Sequence, residues 1–123
     1  MVHRDPEQPR GETDVYGGMA RLPQWSAGTL MIEVEIERTT LLVVAVYVHP
    51  EFTALKRLIE EAIVGKTIAM IPTDGVQAIT EHYYSPPRNA ARAALLQAWE
   101  ASTRKGGYNA RDRRRSLAPS YLD

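Results

Sequence analysis

The residues of this sequence best suited to binding chemistry are the arginines near its C-terminal end. Residues 88–115 contain eight basic side chains against two acidic ones, a net charge of +6, whereas residues 1–87 contain seven basic and twelve acidic ones, a net charge of −5. The zero net charge of the whole chain hides this separation. Because arginine donates paired hydrogen bonds to phosphate or carboxylate oxygens, the pattern predicts a basic arm that binds phosphates or an acidic partner.

The end of this basic stretch combines arginine with residues that stack and hydrogen-bond. Its run of three consecutive arginines has only Asp112 as a local countercharge and lies among Gly, Asn and Ser. Arginines beside a tyrosine and an asparagine are typical of an arm that follows phosphates and stacks on bases. The candidate nucleic-acid-binding residues are Arg104, Lys105, Tyr108, Arg111, Arg113, Arg114 and Arg115. A solvated helix face is the alternative interpretation for Arg88, Arg92, Arg104 and Lys105.

Histidine and tyrosine side chains form a second, weaker candidate for chemistry. A ligand cleft between two halves of the fold would be lined by Tyr47, His49, His82 and Tyr83. If residues 81–84 form a strand, His82 and Tyr83 point to opposite faces, which favours aromatic packing over acid–base catalysis. The three histidines lack the spacing of metal ligands and the chain has no cysteine, so the sequence predicts neither a metal site nor a cofactor. Enzymatic activity is left open but has no motif in its support.

An alternating strand and a continuous apolar strand open the predicted core. Residues 30–36 alternate aliphatic side chains with Glu33 and Glu35, and Glu37 continues the acidic row, which predicts one buried face and one face in water. The apolar run at 41–48 predicts a neighbouring strand, and helical spacing from Pro50 to Gly65 predicts an amphipathic helix.

The second half of the sequence resembles the first in pattern at an offset of 36 residues. Apolar runs at 66–71 and 76–84 flank an Asp74–Gly75 pair, which predicts a second hairpin, and an alanine-rich helix follows from Pro86. We therefore predict an α+β fold of two ββα units, ββαββα, with a four-stranded antiparallel sheet, two helices on one face and extended N- and C-terminal arms. The predicted segments are a flexible N-terminal arm at 1–27, the domain at 28–105 and a basic C-terminal arm at 106–123.

Length and composition set the remaining expectations. A chain of 123 residues without an apolar run of membrane-spanning length predicts one soluble, cytoplasmic domain with no membrane partner. Its predicted edge strand, alanine-lined helix and apolar-ended arms favour a homo-oligomer. A viral or plasmid origin is a hypothesis that rests only on small size and the lack of a catalytic signature.

Three functions are compatible with these patterns. The first is a small oligomeric protein that contacts nucleic acid through its arginine-rich arm. The second is a viral or accessory assembly or regulatory module whose arms bind protein partners, with arginines on an acidic protein surface such as the row Glu33, Glu35 and Glu37 of another copy. The third is a small-ligand-binding or enzyme subunit with a site between the two halves.

Overall fold

The described chain is an antiparallel sheet with helices packed on one face. The computed structural model describes residues 12–22 and 28–103, together with the backbone of residues 108 and 109. Its elements are the strands β1 (Thr13–Arg21), β2 (Thr29–Glu37) and β3 (Val43–His49), and the helices α1 (Thr53–Ile63), α2 (Gln77–His82) and α3 (Arg88–Ser102). A mixed α+β fold with an antiparallel sheet is therefore confirmed. Within these described ranges, no helix is long and apolar enough to cross a membrane.

Strand β2 lies at the centre of the three-stranded sheet, whose order is β3-β2-β1. It pairs with β1 over nine residues without interruption, and with β3 through a register shift between Glu35 and Ile36. The backbone of Tyr108–Asn109 pairs with Tyr16 and Gly17 at the outer edge of β1. The alternation of β2 is confirmed in its apolar half, because Leu30, Ile32, Val34 and Ile36 are all buried beneath the helices.

The prediction of four strands in the sheet is wrong. The stretch 71–82, placed in a second hairpin by sequence, is helical: a π-helix, Ile71–Val76, leads into α2. Over residues 71–83 the buried positions Ile71, Gly75, Ile79 and Tyr83 recur every four residues, which is a helical period. The layout of two ββα units is therefore not confirmed. Strands β2 and β3 and helix α1 follow one another in the order ββα, but residues 71–82 do not supply the strands of a second unit.

The packing of Gly75 explains why the Asp74–Gly75 pair does not form the predicted hairpin turn. A Cβ at this position would lie 3.0 Å from both Ile63 Cγ2 and Leu95 Cδ2, so the glycine allows close packing between the π-helix, α1 and α3. The carboxylate of Asp74 accepts a 2.6 Å hydrogen bond from the ammonium of Lys66. Neither residue forms the two-residue hairpin turn that an Asp–Gly pair usually indicates.

Strand β1 lies within the stretch assigned by sequence to the N-terminal arm. Its sequence contains two adjacent glycines and lacks apolar alternation, so its strand conformation depends on pairing with β2 and on packing against α3. A Cβ on Gly18 would lie 2.1 Å from the carbonyl oxygen of Ala94, so helix and strand touch backbone to backbone. The alanine face of α3, with Ala90, Ala91, Ala94, Ala98 and Ala101 buried, permits this approach.

Candidate functional site

The side of the sheet away from the helices presents a row of carboxylates at its centre. Alternate residues of β2 project to this side, placing Glu33, Glu35 and Glu37 along one line. Tyr47 and Gly17 are the cross-strand neighbours of Glu33. We call this surface the acidic face and define it by the three glutamates of β2.

Glu35 is bound by hydroxyl groups of both neighbouring strands. Thr13 Oγ1 donates to Glu35 Oε2 at 2.7 Å, and the phenol of Tyr47 donates to Glu35 Oε1 at 2.6 Å. At the end of the row, Thr40 Oγ1 donates to Glu37 Oε1 at 2.8 Å. The carboxylates are therefore oriented by the strands and the β2–β3 turn.

The acidic face is not the wet surface that the alternation predicted. Glu33 retains 4% of its surface exposed and Glu37 only 1%, although all the described helices pack on the opposite face. A rise of about 3.4 Å per residue separates alternate carboxylates by about 7 Å, where two like charges repel by about 2 kcal/mol at an effective dielectric constant of 20. Carboxylates this buried and this close are stable only beside cations or several hydrogen-bond donors.

A separate charge cluster lies where β1 begins and β2 ends. The guanidinium of Arg38 donates two hydrogen bonds to Asp14, at 2.9 and 3.0 Å, and a third to Glu12 at 2.7 Å. The hydrogen bond with Asp14 is the main cause that raises the pKa of Arg38 above its ordinary value. This cluster borders a pocket of about 170 Å³ lined also by Tyr16, Ile36, Leu41, Ile68 and Ser102. At that size it is smaller than typical pockets for small organic ligands.

The four residues proposed to line a ligand cleft lie in two separate places. Tyr47 and His49 project from β3 onto the side of the acidic face. Tyr83 is buried in the core on the helix side, and His82 is exposed at the end of α2, 3.8 Å from the carboxylate of Glu81. The structure brings Tyr47 close to Glu35 but does not bring the two pairs together.

Most of the predicted nucleic-acid-binding residues lie outside the described residues. These are Arg104, Lys105, Arg111, Arg113, Arg114 and Arg115. For Tyr108 the structure gives the backbone, paired with Gly17 of β1. The pairing places the backbone of residues 108 and 109 at the outer edge of β1.

Two arginines of α3 differ in their surroundings. Arg88 donates to the carbonyl oxygen of Thr80, and its guanidinium carbon lies 5.2 Å from the ring centroid of Tyr84. It therefore joins the end of α2 to the start of α3 and is a structural residue. Arg92 lies exposed on the helix surface, as the interpretation of a solvated face requires.

The sequence signal for the acidic face is the regular Glu spacing in β2. The hydrogen bond from Thr13 to Glu35 depends on the pairing of β1 with β2, which the sequence did not predict.

Among residues 12–22 and 28–103, no three His, Asp or Glu side chains are grouped to hold a metal ion.

Comparisons of the chain with protein families, with curated proteins and with solved structures gave no match.

Proposed function

We propose that the protein binds nucleic acid through the phosphate contacts of its C-terminal basic arm, with Arg111, Arg113, Arg114 and Arg115 as the contacting residues. The observation that carries the proposal is the charge separation between body and arm. Residues 12–22 and 28–103 contain seven basic and eleven acidic side chains, a net charge of −4, whereas residues 104–115 contain six basic and one acidic, a net charge of +5. Nucleic-acid phosphates favour the arm and are repelled by the body.

The pairing of Tyr108–Asn109 with β1 supports this proposal by fixing where the arm starts. The arginines begin two residues beyond Asn109 in the sequence. Phosphate contacts of this kind confer affinity but little preference for sequence.

The test is a fluorescence-anisotropy titration of labelled single-stranded and duplex oligonucleotides at several salt concentrations. Four arginine contacts predict a slope of log affinity against log salt of about −3 on single strands and about −3.6 on duplex. Deleting residues 110–123 removes four arginines and two aspartates and should flatten this slope on every sequence tested. The matched control is Arg57→Gln with Arg92→Gln, which removes the same net charge of +2 from exposed positions on α1 and α3. Equal binding by the deletion and the intact chain would refute the proposal.

A second candidate function is an assembly or regulatory module, and the opposite net charges of body and arm favour it. The burial of Glu33 and Glu37 argues against the acidic face as the contact surface. In this alternative the arginines of one copy bind exposed acidic side chains of another, so that the chain forms a homo-oligomer. Light scattering distinguishes the two, because assembly through charge predicts a mass above 13.8 kDa at low salt that falls as salt is added. A chain that remains monomeric while it binds oligonucleotide excludes this second function.

A further inference from the structure

The pocket beside the Arg38 charge cluster has room for one six-membered ring. Its volume is about 170 Å³, and a cavity of about 150 Å³ is enough to hold a benzene ring. Ile36 and Ile68 line it with aliphatic surface. The backbone amide of Ile68 donates to the carbonyl oxygen of Leu41 at 3.0 Å, so these two lining residues are held together. The pocket therefore matches one flat ring in size and in its apolar lining.

Leu41 lines this pocket in a backbone conformation that leucine rarely adopts. Its φ is +61°, in the left-handed region where a Cβ crowds the following carbonyl oxygen and where glycine is favoured. The side chain is 47% exposed, so burial in the core does not compensate for this strain. Contact with a ligand gives a reason for a leucine at a position where glycine would relieve the strain.

Arg38 supplies a flat cation that is fixed in place beside the pocket. Its Nε and Nη2 donate to the two carboxylate oxygens of Asp14, and its Nη1 donates to Glu12. These hydrogen bonds lie along the edges of the guanidinium plane, so a flat ligand contacts one of its faces by stacking. One guanidinium and two carboxylates carry a net charge of −1, which favours a neutral ring over a phosphate.

The polar part of the pocket favours a ring that carries an N–H group. The hydroxyl of Ser102, a lining residue at the end of α3, donates its proton to the carbonyl oxygen of Trp99 at 2.6 Å. Toward a ligand, the hydroxyl oxygen is then a hydrogen-bond acceptor. Pyrimidine bases are six-membered rings with an N–H donor, whereas a phenyl ring lacks the donor and a purine has a second ring.

We propose that this pocket binds one pyrimidine base, stacked on the guanidinium of Arg38 and in contact with Leu41, with an N–H of the ring donated to Ser102. The apolar lining, the fixed guanidinium and the acceptor hydroxyl each account for one property of this ligand: its flat ring, its neutral charge and its N–H group.

Such a site gives the proposed function a preference for single-stranded pyrimidine tracts, and this consequence rests on that function. Tyr16, which also lines the pocket, is the backbone partner of Asn109, two residues before the first of the four proposed contact arginines. Phosphate contacts do not distinguish bases, whereas one stacked base strengthens binding by about five-fold to a hundred-fold.

The first experiment tests the pocket without phosphates. The ¹⁵N-labelled full chain is titrated with uridine and with cytidine, which carry no charge at neutral pH, while heteronuclear NMR spectra are recorded. We expect saturable shifts of the Arg38 Nε–H and of the backbone amides of Leu41 and Ile68, all with one dissociation constant. Ribose should cause no shift, and adenosine should bind more weakly. No saturable shift at these three groups, or equal binding of adenosine, would overturn the proposal.

Two variants assign the binding to this pocket. Arg38→Lys keeps the charge but removes the flat guanidinium, so it should weaken uridine binding by about five-fold or more. Leu41→Gly is suited to the positive φ, so it should keep the fold and also weaken binding. The control is Leu96→Ala, which shortens an apolar side chain of similar exposure on α3 and should leave binding unchanged. If Arg38→Lys lacks a folded circular-dichroism spectrum, Leu41→Gly decides alone, and unchanged uridine binding in Leu41→Gly would overturn the proposal.

A second experiment identifies the source of the base. Labelled strands of eight thymidines and of eight abasic sites present the same phosphates, so the arm alone predicts equal affinities in fluorescence anisotropy. The pocket predicts that the thymidine strand binds tighter by about five-fold or more, and that Leu41→Gly loses this preference. Equal affinities beside intact uridine binding would overturn the strand as the source and assign the pocket to a free pyrimidine compound. Failure of both strands to bind would refute the proposed function, while the uridine titration still decides the pocket.

Discussion

The close approach of Gly18 to α3 predicts that Gly18→Ala unfolds the protein at markedly lower denaturant. The added Cβ would lie 2.1 Å from Ala94 O, 2.5 Å from Gln97 Cβ and 2.9 Å from Ala98 N. Two of these are backbone atoms and the third is a Cβ, so none moves away by rotating a side chain. Restoring ordinary contacts near 3.4 Å requires α3 to shift by about 1 Å from β1.

The magnitude follows from overpacking a contact that cannot relax locally. Such substitutions destabilise by about 1–3 kcal/mol, and we expect about 3 kcal/mol here because the helix must move as a unit. With an m-value of about 2 kcal/mol/M in urea, the midpoint falls by about 1.5 M. Met19→Ala, on the same strand but exposed on the other face, is the control and should change stability by less than about 0.5 kcal/mol. A Gly18→Ala midpoint within about 0.3 M of the unaltered chain would refute the close packing of α3 on β1.

Three further predictions concern the core, the helix junction and the face. Ile59→Ala removes a fully buried side chain and should lower the free energy of unfolding by about 2–5 kcal/mol in urea titration, whereas Leu58→Ala, only partly buried, should cost less. Arg88→Ala should lower stability by about 1–2 kcal/mol in thermal melts through loss of its contacts with Thr80 and Tyr84, with Arg92→Ala near neutral as its control. Tyr47→Phe should cost about 1 kcal/mol by removing the hydrogen bond to Glu35, and unchanged stability would argue against that bond.

Local patterns predicted the elements whose own residues decide their structure. The alternation in β2 and the helical spacing of α1 each bury one continuous face, so periodicity alone identified them. The alanine face of α3 indicated a close approach, and the structure identifies the partner as β1. Periodicity was less informative where the buried side is formed partly by a glycine, as at Gly75, because a missing side chain breaks the apolar pattern.

The site was harder to predict because it depends on strand pairing. β1 carries the features of a loop, yet nine consecutive pairs with β2 make it a strand. Thr13 and the edge that pairs with Tyr108–Asn109 both belong to β1. Neither can be placed in the sheet from the sequence unless β1 is recognised as a strand. The glutamates themselves were visible from the sequence, but their burial was not, since single-strand alternation indicates water on the polar side.

The central claim is that Arg111, Arg113, Arg114 and Arg115 bind nucleic-acid phosphates. The most direct measurement is the affinity of a labelled single-stranded oligonucleotide at low salt for three proteins: the unaltered chain, the chain without residues 110–123, and Arg57→Gln with Arg92→Gln. Our account predicts that the unaltered chain and the charge-matched control bind alike and that the deletion binds more weakly. Equal affinities for the deletion and the unaltered chain would contradict the proposed function.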